Sequence, residues 1–310
     1  MSNYNLIIFH TPTAEHISDF LTIRNMMAGR APDIDVHIIS RDTTIPPDFW
    51  TRAAELPTLI FSPLPIKLDP SIRGARMMSK YLPKLEELEL FAKAGFPVPR
   101  TKKIMPETVL DESEWGPFVV VKPNEGRGGR DIRLRRTKDV RYFNPMYWPK
   151  RDPRHGIDML AQQYVNTGPY SRSYRVFTVL GRIIYAITTT ATQALPSPDP
   201  LSQEDTDINV TANGVERILE LSSDQEVISL AESIHRSFPH IPTMGIDIIR
   251  EHGTGKLFVL EMNSRGVTWH LSSDHGLFYQ RKDGLNLYGQ FNGLKVIAEA
   301  LTDFTRRLAV

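Results

Sequence analysis

One stretch near the middle of the chain limits its possible folds most strongly, because it places a glycine-rich loop between two segments with strand patterns. Before the loop, Phe118–Lys122 is apolar and β-branched, and after it Asp131–Arg135 alternates polar and apolar residues with the strand period of two. The loop runs Pro123-Asn124-Glu125-Gly126-Arg127-Gly128-Gly129-Arg130. A dinucleotide-binding glycine fingerprint requires a helix after its glycines. The sequence therefore predicts a strand–loop–strand unit and argues against a Rossmann site.

A glycine loop of this kind can cover phosphate groups. Glycine allows positive φ angles and a close approach of the backbone, so that exposed N–H groups can bind phosphate oxygens. Lys122, at the end of the first strand, supplies a positive charge for a polyphosphate. The residue types by themselves leave a second interpretation equally open, in which the loop is a hairpin turn with solvated arginines.

A second group of polar residues lies on two strands predicted nearer the C-terminus, Gly245–Arg250 and Leu257–Asn263. Asp247 interrupts the first strand between two isoleucines, while Glu261 and Asn263 share one face of the second because side chains alternate along a strand. If the two strands pair across the intervening turn, the three side chains meet. Hard oxygen ligands of this kind suit Mg²⁺ better than zinc. The alternative is a wet sheet edge, which carries the repulsion between two neighbouring carboxylates.

The first third of the chain has the pattern of a small parallel sheet. Short apolar runs at Leu6–Phe9, Val36–Ile39 and Thr58–Phe61 are separated by helix-compatible stretches, as in a βαβ layer. The first loop, His10–Glu15, contains no glycine-rich phosphate fingerprint. We therefore expect this layer to contribute to substrate binding or docking, and we expect the proline-rich Pro63–Pro70 to connect it to the rest.

Local signals predict further elements in the remaining sequence. Pro83 and Gly95 bound a helix, because proline favours the first turn and glycine the end. Ala194–Asp207 is rich in proline, serine and acidic residues and is predicted to be a mobile loop. The other predictions are a strand over Leu160–Val165, a hairpin of Arg175–Leu180 and Arg182–Thr188 around Gly181, a helix over Asp224–Phe238 and a closing helix over Leu285–Phe304.

Composition excludes several kinds of chemistry. The 310 residues include no cysteine, which removes disulfides, cysteine-ligated metals and thiolate nucleophiles together. A formal charge of +1 gives no overall field that would attract nucleic acid or an acidic membrane. The N-terminus lacks the basic region and cleavage site of a signal peptide, and no apolar stretch is long enough to span a bilayer. We therefore expect a cytoplasmic protein without a membrane partner.

The motifs, taken in order, resemble the ATP-grasp superfamily. They are Ala94-Gly95-Phe96-Pro97-Val98-Pro99, Val121-Lys122-Pro123 with its glycine loop, Ala161-Gln162-Gln163-Tyr164-Val165, Arg175-Val176-Phe177, and Gly245-Ile246-Asp247 before Glu261-Met262-Asn263. The resemblance covers about residues 76–266 and is strongest to ribosomal-protein-modifying glutamate ligases, peptide-maturing ligases and glutathione synthetase. Several motifs in a fixed order are more specific than any single one.

This resemblance implies an α/β (α+β) ATP-grasp fold in three parts. Residues 1–75 would form the pre-ATP-grasp domain, a parallel βαβ layer. Residues 76–165 would form the N-terminal ATP-grasp subdomain with the glycine flap, and residues 166–310 the C-terminal subdomain with the metal site. The cofactors implied are ATP and Mg²⁺, with two ions expected and Mn²⁺ as a substitute.

The resemblance also assigns roles to individual residues. Arg175 and Lys122 resemble the catalytic cations, Arg175 facing the γ-phosphate and the acyl-phosphate. The metal ligands would be Asp247, Glu261 and Asn263. The nucleotide-binding set comprises two phosphate-binding lysines, the flap and the adenine hinge, namely Lys84 and Lys122, then Glu125, Gly126, Arg127, Gly128 and Gly129, then Gln162, Gln163, Tyr164 and Val165.

The chain departs from the family pattern where the substrate would bind. Ser173 replaces a frequent acidic residue, Asp207 replaces a frequent arginine, and no proline follows Asn263. Nucleotide chemistry is unaffected by these changes, whereas the identity of the substrates is left open. Three residues are expected to contact the substrate, Arg265 and His270 by binding a carboxylate or other anion, and Asn209 as a further site residue.

The resemblance implies a carboxylate–amine ligase that forms an amide through an acyl-phosphate and releases ADP and phosphate. Its substrates would be a small-molecule or peptide carboxylate and an amine, and a homodimer is left open. The alternatives are a small-molecule kinase and an ATP-binding regulator without turnover. A third interpretation, nucleic-acid binding through seven cations, is weaker than a solvated hairpin. These cations are Arg127, Arg130, Arg133, Arg135, Arg136, Lys138 and Arg141.

Overall fold

The computed structural model of the protein describes residues 2–126, 128–194, 216–263 and 269–310 and shows a mixed α/β chain, as the sequence predicted. The strands are β1 (Tyr4–His10), β2 (Ile34–Ser40), β3 (Thr58–Ser62), β4 (Ala75–Met78), β5 (Thr101–Lys103), β6 (Phe118–Pro123), β7 (Arg133–Arg136), β8 (Met159–Gln163), β9 (Arg172–Val179), β10 (Arg182–Ala191), β11 (Arg217–Leu221), β12 (Thr243–Arg250) and β13 (Leu257–Asn263). The helices are α1 (Ile17–Ala28), α2 (Pro47–Ala53), α3 (Lys84–Lys93), α4 (Glu112–Trp115), α5 (Gln225–Ser237), α6 (Asp274–Asp283), α7 (Leu287–Gln290) and α8 (Gly293–Leu308).

The N-terminal part forms a parallel sheet with the strand order β2-β1-β3-β4, so the predicted parallel layer is confirmed. The apolar run in β1 is continuous because both faces of this sheet are covered. Leu6 and Ile8 pack with α1 and α8, while Ile7 packs with α2. Strand β4 begins at Ala75, the residue at which the first domain is predicted to end. The division of the chain into three domains stays a prediction.

The other strands form two antiparallel sheets. One has the order β5-β8-β6-β7 and carries the glycine loop between β6 and β7, which confirms the strand–loop–strand unit. The larger one has the order β11-β10-β9-β12-β13 and contains the predicted hairpin and the predicted pair of strands. The hairpin turn consists of Leu180 and Gly181, both with positive φ, which matches the twist of the flanking strands.

The two faces of the larger sheet belong to different cores. Val176 and Ile246 face α3 and α5. Phe177 and Tyr185, which point to the opposite face, share a core with Trp269, α8 and the N-terminal sheet. This second face therefore lies towards the N-terminal sheet. No helix of the described residues is long and apolar enough to cross a membrane.

The prediction of one closing helix over Leu285–Phe304 was wrong, because the structure has two helices there, α7 and α8. The helical path ends at Asn292, which adopts a left-handed conformation with φ 54°. Gly293 then lies so close to Ile184 that a β-carbon would approach its side chain to 2.9 Å. The side chain of Gln290 bonds to the backbone of Ala186 and to Ser222 O, which holds α7 on the sheet. Tertiary contacts therefore override the helical pattern.

Candidate functional site

Three charged side chains form a row across the larger sheet. Arg175 on β9 pairs with Asp247 on β12, and Asp247 pairs with Glu261 on β13. Directly paired residues of neighbouring strands point to the same face. Asn263 lies two residues beyond Glu261 and therefore joins them. The strand pairing expected from the sequence thus brings Asp247, Glu261 and Asn263 together.

Arg175 and Asp247 form a two-point ion pair. Arg175 Nε donates to Asp247 Oδ1 at 2.7 Å, and Nη2 donates to Oδ2 at 2.6 Å. Asn263 Nδ2 donates to Asp247 Oδ2 at 3.1 Å and to Glu261 Oε1 at 3.4 Å. The amide of Asn263 therefore bridges the two carboxylates, which would otherwise repel each other at this distance.

The charges around the row shift its pKa values in different directions. Burial raises the pKa of Asp247 against the opposing effect of Arg175, and the charge of Glu261 adds to the rise. Burial also acts to raise the pKa of Glu261, but Lys84, Lys122 and Arg175 outweigh it and hold that pKa below its ordinary value. Two carboxylates close together, one of them kept ionised by cations, form an arrangement that a divalent ion would stabilise.

The two predicted phosphate-binding lysines lie at the Glu261 end of the row. Lys84, the first residue of α3, places Nζ 4.0 Å from Glu261 Oε2 and donates to Gly126 O at 3.1 Å. Lys122 is buried, and burial lowers its pKa to about 8. The base of the glycine flap is tied to α3, because Asn124 Oδ1 accepts from Leu85 N at 2.9 Å. Lysines and flap therefore share one edge of the site.

The flap has the backbone conformation that only glycine adopts without strain. Gly126, Gly128 and Gly129 all have positive φ, with values of 147°, 70° and 67°. Glu125 is exposed at the start of this turn. Arg127 lies outside the described residues.

The residues predicted as the adenine hinge follow the end of β8. Gln162 is buried and donates its side-chain amide to Thr101 Oγ1 at 2.9 Å. Gln163 N donates to Arg100 O at 2.8 Å. Burial raises the pKa of Tyr164, and Val165 packs in a small core beside β12 and β13. Their contact with a nucleotide stays a prediction.

His270 lies beside Arg175, the arginine predicted to face the γ-phosphate. Its Nε2 is 3.4 Å from Arg175 Nη1, and its Nδ1 is 3.4 Å from Ser273 Oγ. Burial, followed by the charge of Arg175, lowers the pKa of His270 well below its ordinary value. A neutral ring accepts the hydrogen bond of Arg175, so His270 orients this arginine and adds no positive charge for an anion. The other two predicted substrate residues, Asn209 and Arg265, lie outside the described residues, as does nearly all of the predicted loop Ala194–Asp207.

A buried carboxylate that the sequence did not indicate lies behind the row of Arg175, Asp247 and Glu261. Glu87 stands one turn after Lys84 on α3, and its Oε2 accepts from Met262 N at 3.1 Å, between the two metal-ligand candidates of β13. Burial raises its pKa to about 8. The spacing of three residues from Lys84 is the signal that would have indicated it, since such residues share a helix face.

A second missed group ends the first parallel strand. His10 Nδ1, Thr11 Oγ1 and Glu15 Oε1 are buried, and none of them has a hydrogen-bond partner among the described residues. Thr11 N donates to the other oxygen of Glu15 at 2.7 Å, and burial raises the pKa of Glu15 to about 8. The carboxyl ends of parallel strands are the usual place for a ligand. The position of these residues directly after a predicted parallel strand is therefore the signal that would have indicated the group.

The second group is joined to the His270 segment. His16 N donates to Ser272 Oγ at 3.0 Å, and Trp269 Nε1 donates to Asp19 Oδ2 at 2.7 Å. Both contacts link residues next to the buried group with residues next to His270. The end of the first strand therefore lies on the same side of the larger sheet as Arg175.

The amino-acid sequence also matches a known protein family over the region that carries Arg175, Asp247 and Glu261. The sequence model of a family described as ATP-grasp domain matches residues 83–268, more than half of the chain. The chain therefore belongs to the ATP-grasp family. No curated protein sequence matches it.

Solved structures share the fold over nearly the whole chain. The D-cycloserine synthetase DcsG is 16% identical with a TM-score of 0.50, covering 96% of this chain and 99% of that chain. The ATP-grasp ligase PsnB, complexed with minimal precursor, Mg and ADP, is 13% identical with a TM-score of 0.54, covering 97% and 98%. A Chryseobacterium gregarium RiPP-associated ATP-grasp ligase, in complex with ADP and a leader and core peptide, is 15% identical with a TM-score of 0.53, covering 97% of both chains. At these identities the likeness shows the fold.

Proposed function

We infer that this protein is an ATP- and Mg²⁺-dependent ligase that joins a carboxylate to an amine and releases ADP and phosphate. The observation that carries the proposal is the row of alternating charge formed by Arg175, Asp247 and Glu261, with Lys84 and Lys122 at its end. It combines cations for phosphate oxygens with carboxylates for a divalent ion. Membership of the ATP-grasp family supports ATP as the nucleotide.

The donor set fits magnesium. Asp247 and Glu261 offer carboxylate oxygens, and Asn263 offers its amide oxygen after a rotation of the side-chain amide, which now directs Nδ2 to both carboxylates. Hard oxygen ligands with room for water and phosphate are typical of Mg²⁺ sites. When bound, Mg²⁺ would neutralise phosphate charge and orient the terminal phosphates. A second ion, or Mn²⁺ in place of Mg²⁺, remains part of the proposal.

The chain's own residues then support two transfer steps. In the first, the substrate carboxylate attacks the γ-phosphorus, the bond to the β-phosphate oxygen breaks, and ADP leaves while Lys122 and Arg175 stabilise the charge. In the second, the amine attacks the carbonyl carbon of the acyl-phosphate, phosphate leaves and the nitrogen loses a proton. Neither step needs a protein thiol, in agreement with a chain that has no cysteine. The glycine flap excludes water from the reactive acyl-phosphate.

The buried group at the end of β1 supports an amine-bearing substrate. Glu15 Oε1, Thr11 Oγ1 and His10 Nδ1 can each accept a hydrogen bond, and an ammonium group has three to donate. An ammonium beside Glu15 would also ionise this carboxyl, which burial otherwise keeps protonated up to a pH of about 8.

Product analysis tests the proposal. The purified protein is incubated with ATP, Mg²⁺ and a panel of amino acids and short peptides, and ADP and product masses are measured. A ligase yields ADP together with a mass equal to two substrates minus water. A product that has gained only phosphate indicates a kinase, and tight ATP binding without ADP release indicates a regulator. Either of these results contradicts the ligase.

A further inference from the structure

A loop of the flap-bearing sheet displays aromatic side chains to solvent. Residues 141–156, called the aromatic loop from here on, lie in the connection from β7 to β8. Tyr147 is 76% exposed, Met146 61% and Phe143 49%. Phe143 contacts Tyr147 and Trp148 at ring-centroid distances of 6.1 and 4.9 Å. The side chains form one patch, and contiguous exposed apolar patches mark interaction sites.

The aromatic loop is firmly held from within. The guanidinium of Arg154 stacks on Trp148 at 3.5 Å from the ring centroid and donates two hydrogen bonds to Asp152, at 2.9 and 2.7 Å. His155 Nδ1 lies 2.7 Å from Trp148 O. These contacts order the loop without burying Phe143 and Tyr147. The exposed rings are therefore presented by a loop that has its own internal contacts.

The aromatic loop is also strongly basic. It contains four Lys and Arg residues against one Asp, and that Asp is already paired with Arg154. Strand β7, which precedes it, adds three arginines. The whole chain has a formal charge of only +1, so this surface holds a local excess of positive charge. The cations are Arg133, Arg135, Arg136, Arg141, Lys150, Arg151 and Arg154.

The aromatic loop contacts the end of the glycine flap, and the residues that follow the loop contact its start. Arg154 Nη1 lies 3.7 Å from Oδ1 of Asp131, which follows the flap with φ 59°. Asn124 N, at the start of the flap, donates to Asp158 O at 2.8 Å. A molecule bound to the aromatic loop would therefore be held beside the flap.

Resting on the proposed ligase function, we propose that the aromatic loop docks an extended acidic segment of a polypeptide substrate. An aliphatic or aromatic side chain of that segment packs against Phe143, Met146 and Tyr147, and its carboxylates face Lys150 and Arg151. Charge complementarity selects an acidic partner, and the patch selects an apolar anchor within it. Docking beside the flap raises the local concentration of the reacting group on the same polypeptide.

The arrangement of the rings favours a peptide over a single-stranded nucleic acid. Base stacking needs an open aromatic face. One face of Trp148 is covered by Arg154, and Phe143 meets Tyr147 edge-on, with an angle of 84° between the rings. Met146, which is exposed next to Tyr147 in the chain, has a flexible thioether that suits an apolar side chain.

A binding experiment without ATP tests this proposal. The probe is a short fluorescein-labelled peptide in which glutamates alternate with leucine and tyrosine, and the reference peptide has lysine in place of glutamate. Fluorescence anisotropy measures the Kd for the wild type, for Phe143→Ser with Tyr147→Ser, and for Lys150→Glu with Arg151→Glu. Phe278→Ser serves as the matched control, because Phe278 is an equally exposed ring on α6.

We expect the acidic peptide to bind the wild type, the lysine peptide not to bind, and each double variant to weaken binding by about tenfold or more. Phe278→Ser should leave the Kd unchanged, and an unchanged affinity for ATP shows that the variants are folded. Three results overturn the proposal. They are absence of peptide binding, tighter binding of a labelled single-stranded RNA that the double variants abolish, and a wild-type dimer that the double variants dissociate.

Failure of the docking proposal and failure of the ligase proposal are distinguishable. Peptide binding without any ADP formation leaves docking intact and removes the ligase. Ligation of free amino acids at equal rates by the wild type and both double variants, without peptide binding, removes docking and leaves the ligase intact.

Discussion

Arg175 and Asp247 stand opposite each other on β9 and β12 and are joined by two hydrogen bonds of 2.7 and 2.6 Å. The arginine proposed to stabilise the transferred phosphate is therefore held by the carboxylate proposed to bind Mg²⁺. Asp247 Oδ1 keeps a second lone pair, and Oδ2 regains one when the Asn263 amide rotates, so both roles are compatible. This pairing keeps Arg175 in position before any nucleotide is present.

Breaking this pair should destabilise the fold. Arg175→Met and Asp247→Asn should each lower the free energy of unfolding by about 1–3 kcal/mol, because each leaves a partly buried charge unpaired. The double variant should lose less than the sum of the single losses. Urea unfolding measures the cycle. The exposed pair Arg30 and Glu299 is the control and should show almost no coupling. Additive losses at Arg175 and Asp247 would contradict the interpretation.

Glu261→Gln should abolish turnover and keep the fold. The substitution preserves the shape of the side chain but removes a charge from the proposed metal site, and we expect ADP formation to fall by about 100-fold or more. ADP release measures activity, and thermal unfolding reports the fold. Glu220→Gln changes an exposed carboxylate on β11 and should have no effect. Full activity in Glu261→Gln would remove the metal assignment.

ATP affinity should depend on pH through Lys122. Burial lowers its pKa to about 8, so the free protein loses this positive charge as the pH rises through that value. ATP binding should therefore weaken above a pH of about 8, where the phosphates, with a last pKa of about 6, no longer titrate. Titration calorimetry across this range measures the effect. Lys122→Met should bind weakly at every pH, and a sloping profile in that variant would assign the effect to another group.

Glu15 should make the protein less stable as the pH rises. Its pKa is about 8 in the folded protein and 4.5 as its ordinary value, so the folded state binds the additional proton. The stabilisation is complete below the lower value and is lost as the pH rises through the higher one. Across this window the free energy of unfolding of Glu15→Gln should therefore rise relative to that of the wild type, by about 1 kcal/mol for each pH unit. Urea unfolding at several pH values measures the difference.

Two comparisons make the Glu15 experiment specific. Glu89→Gln changes an exposed carboxylate on α3 and should follow the wild-type pH profile. Glu15→Gln should also raise the KM for the amine-bearing substrate while the KM for ATP stays unchanged. Parallel stability profiles of Glu15→Gln and the wild type would show that Glu15 is ionised in the folded protein.

A methyl group at Gly276 should disturb the site. Its β-carbon would overlap with the backbone of His270, which lies next to Arg175. We expect Gly276→Ala to lower kcat and stability together, because the segment that carries His270 must move. Gly29→Ala is the matched control, since Gly29 has ordinary helical φ and open space around its α-carbon. Wild-type kinetics in Gly276→Ala would show that the position of His270 is unimportant.

Much of the fold followed from local sequence patterns. Period-two alternation and β-branched runs predicted the strands around the glycine loop and the pair that carries Asp247 and Glu261, and the structure contains both. The closing helix was wrong because its pattern ignores two tertiary contacts, those of Gly293 with Ile184 and of Gln290 with the sheet. A periodic pattern records what a segment prefers by itself and does not include its neighbours.

The sequence by itself determined which side chains of the candidate site meet. Strand pairing and the alternation of side chains suffice to place Asp247 beside Glu261 and Asn263. Only the tertiary structure decided how these residues are charged and held. Burial makes His270 a neutral acceptor for Arg175, and it keeps Glu15 and Glu87 protonated up to a pH of about 8. The physical reason is that a side chain's pKa and partners depend on desolvation and on charges that are distant in the sequence. The tertiary structure also decided the exposure of the aromatic loop, because that exposure depends on which rings the rest of the fold leaves uncovered.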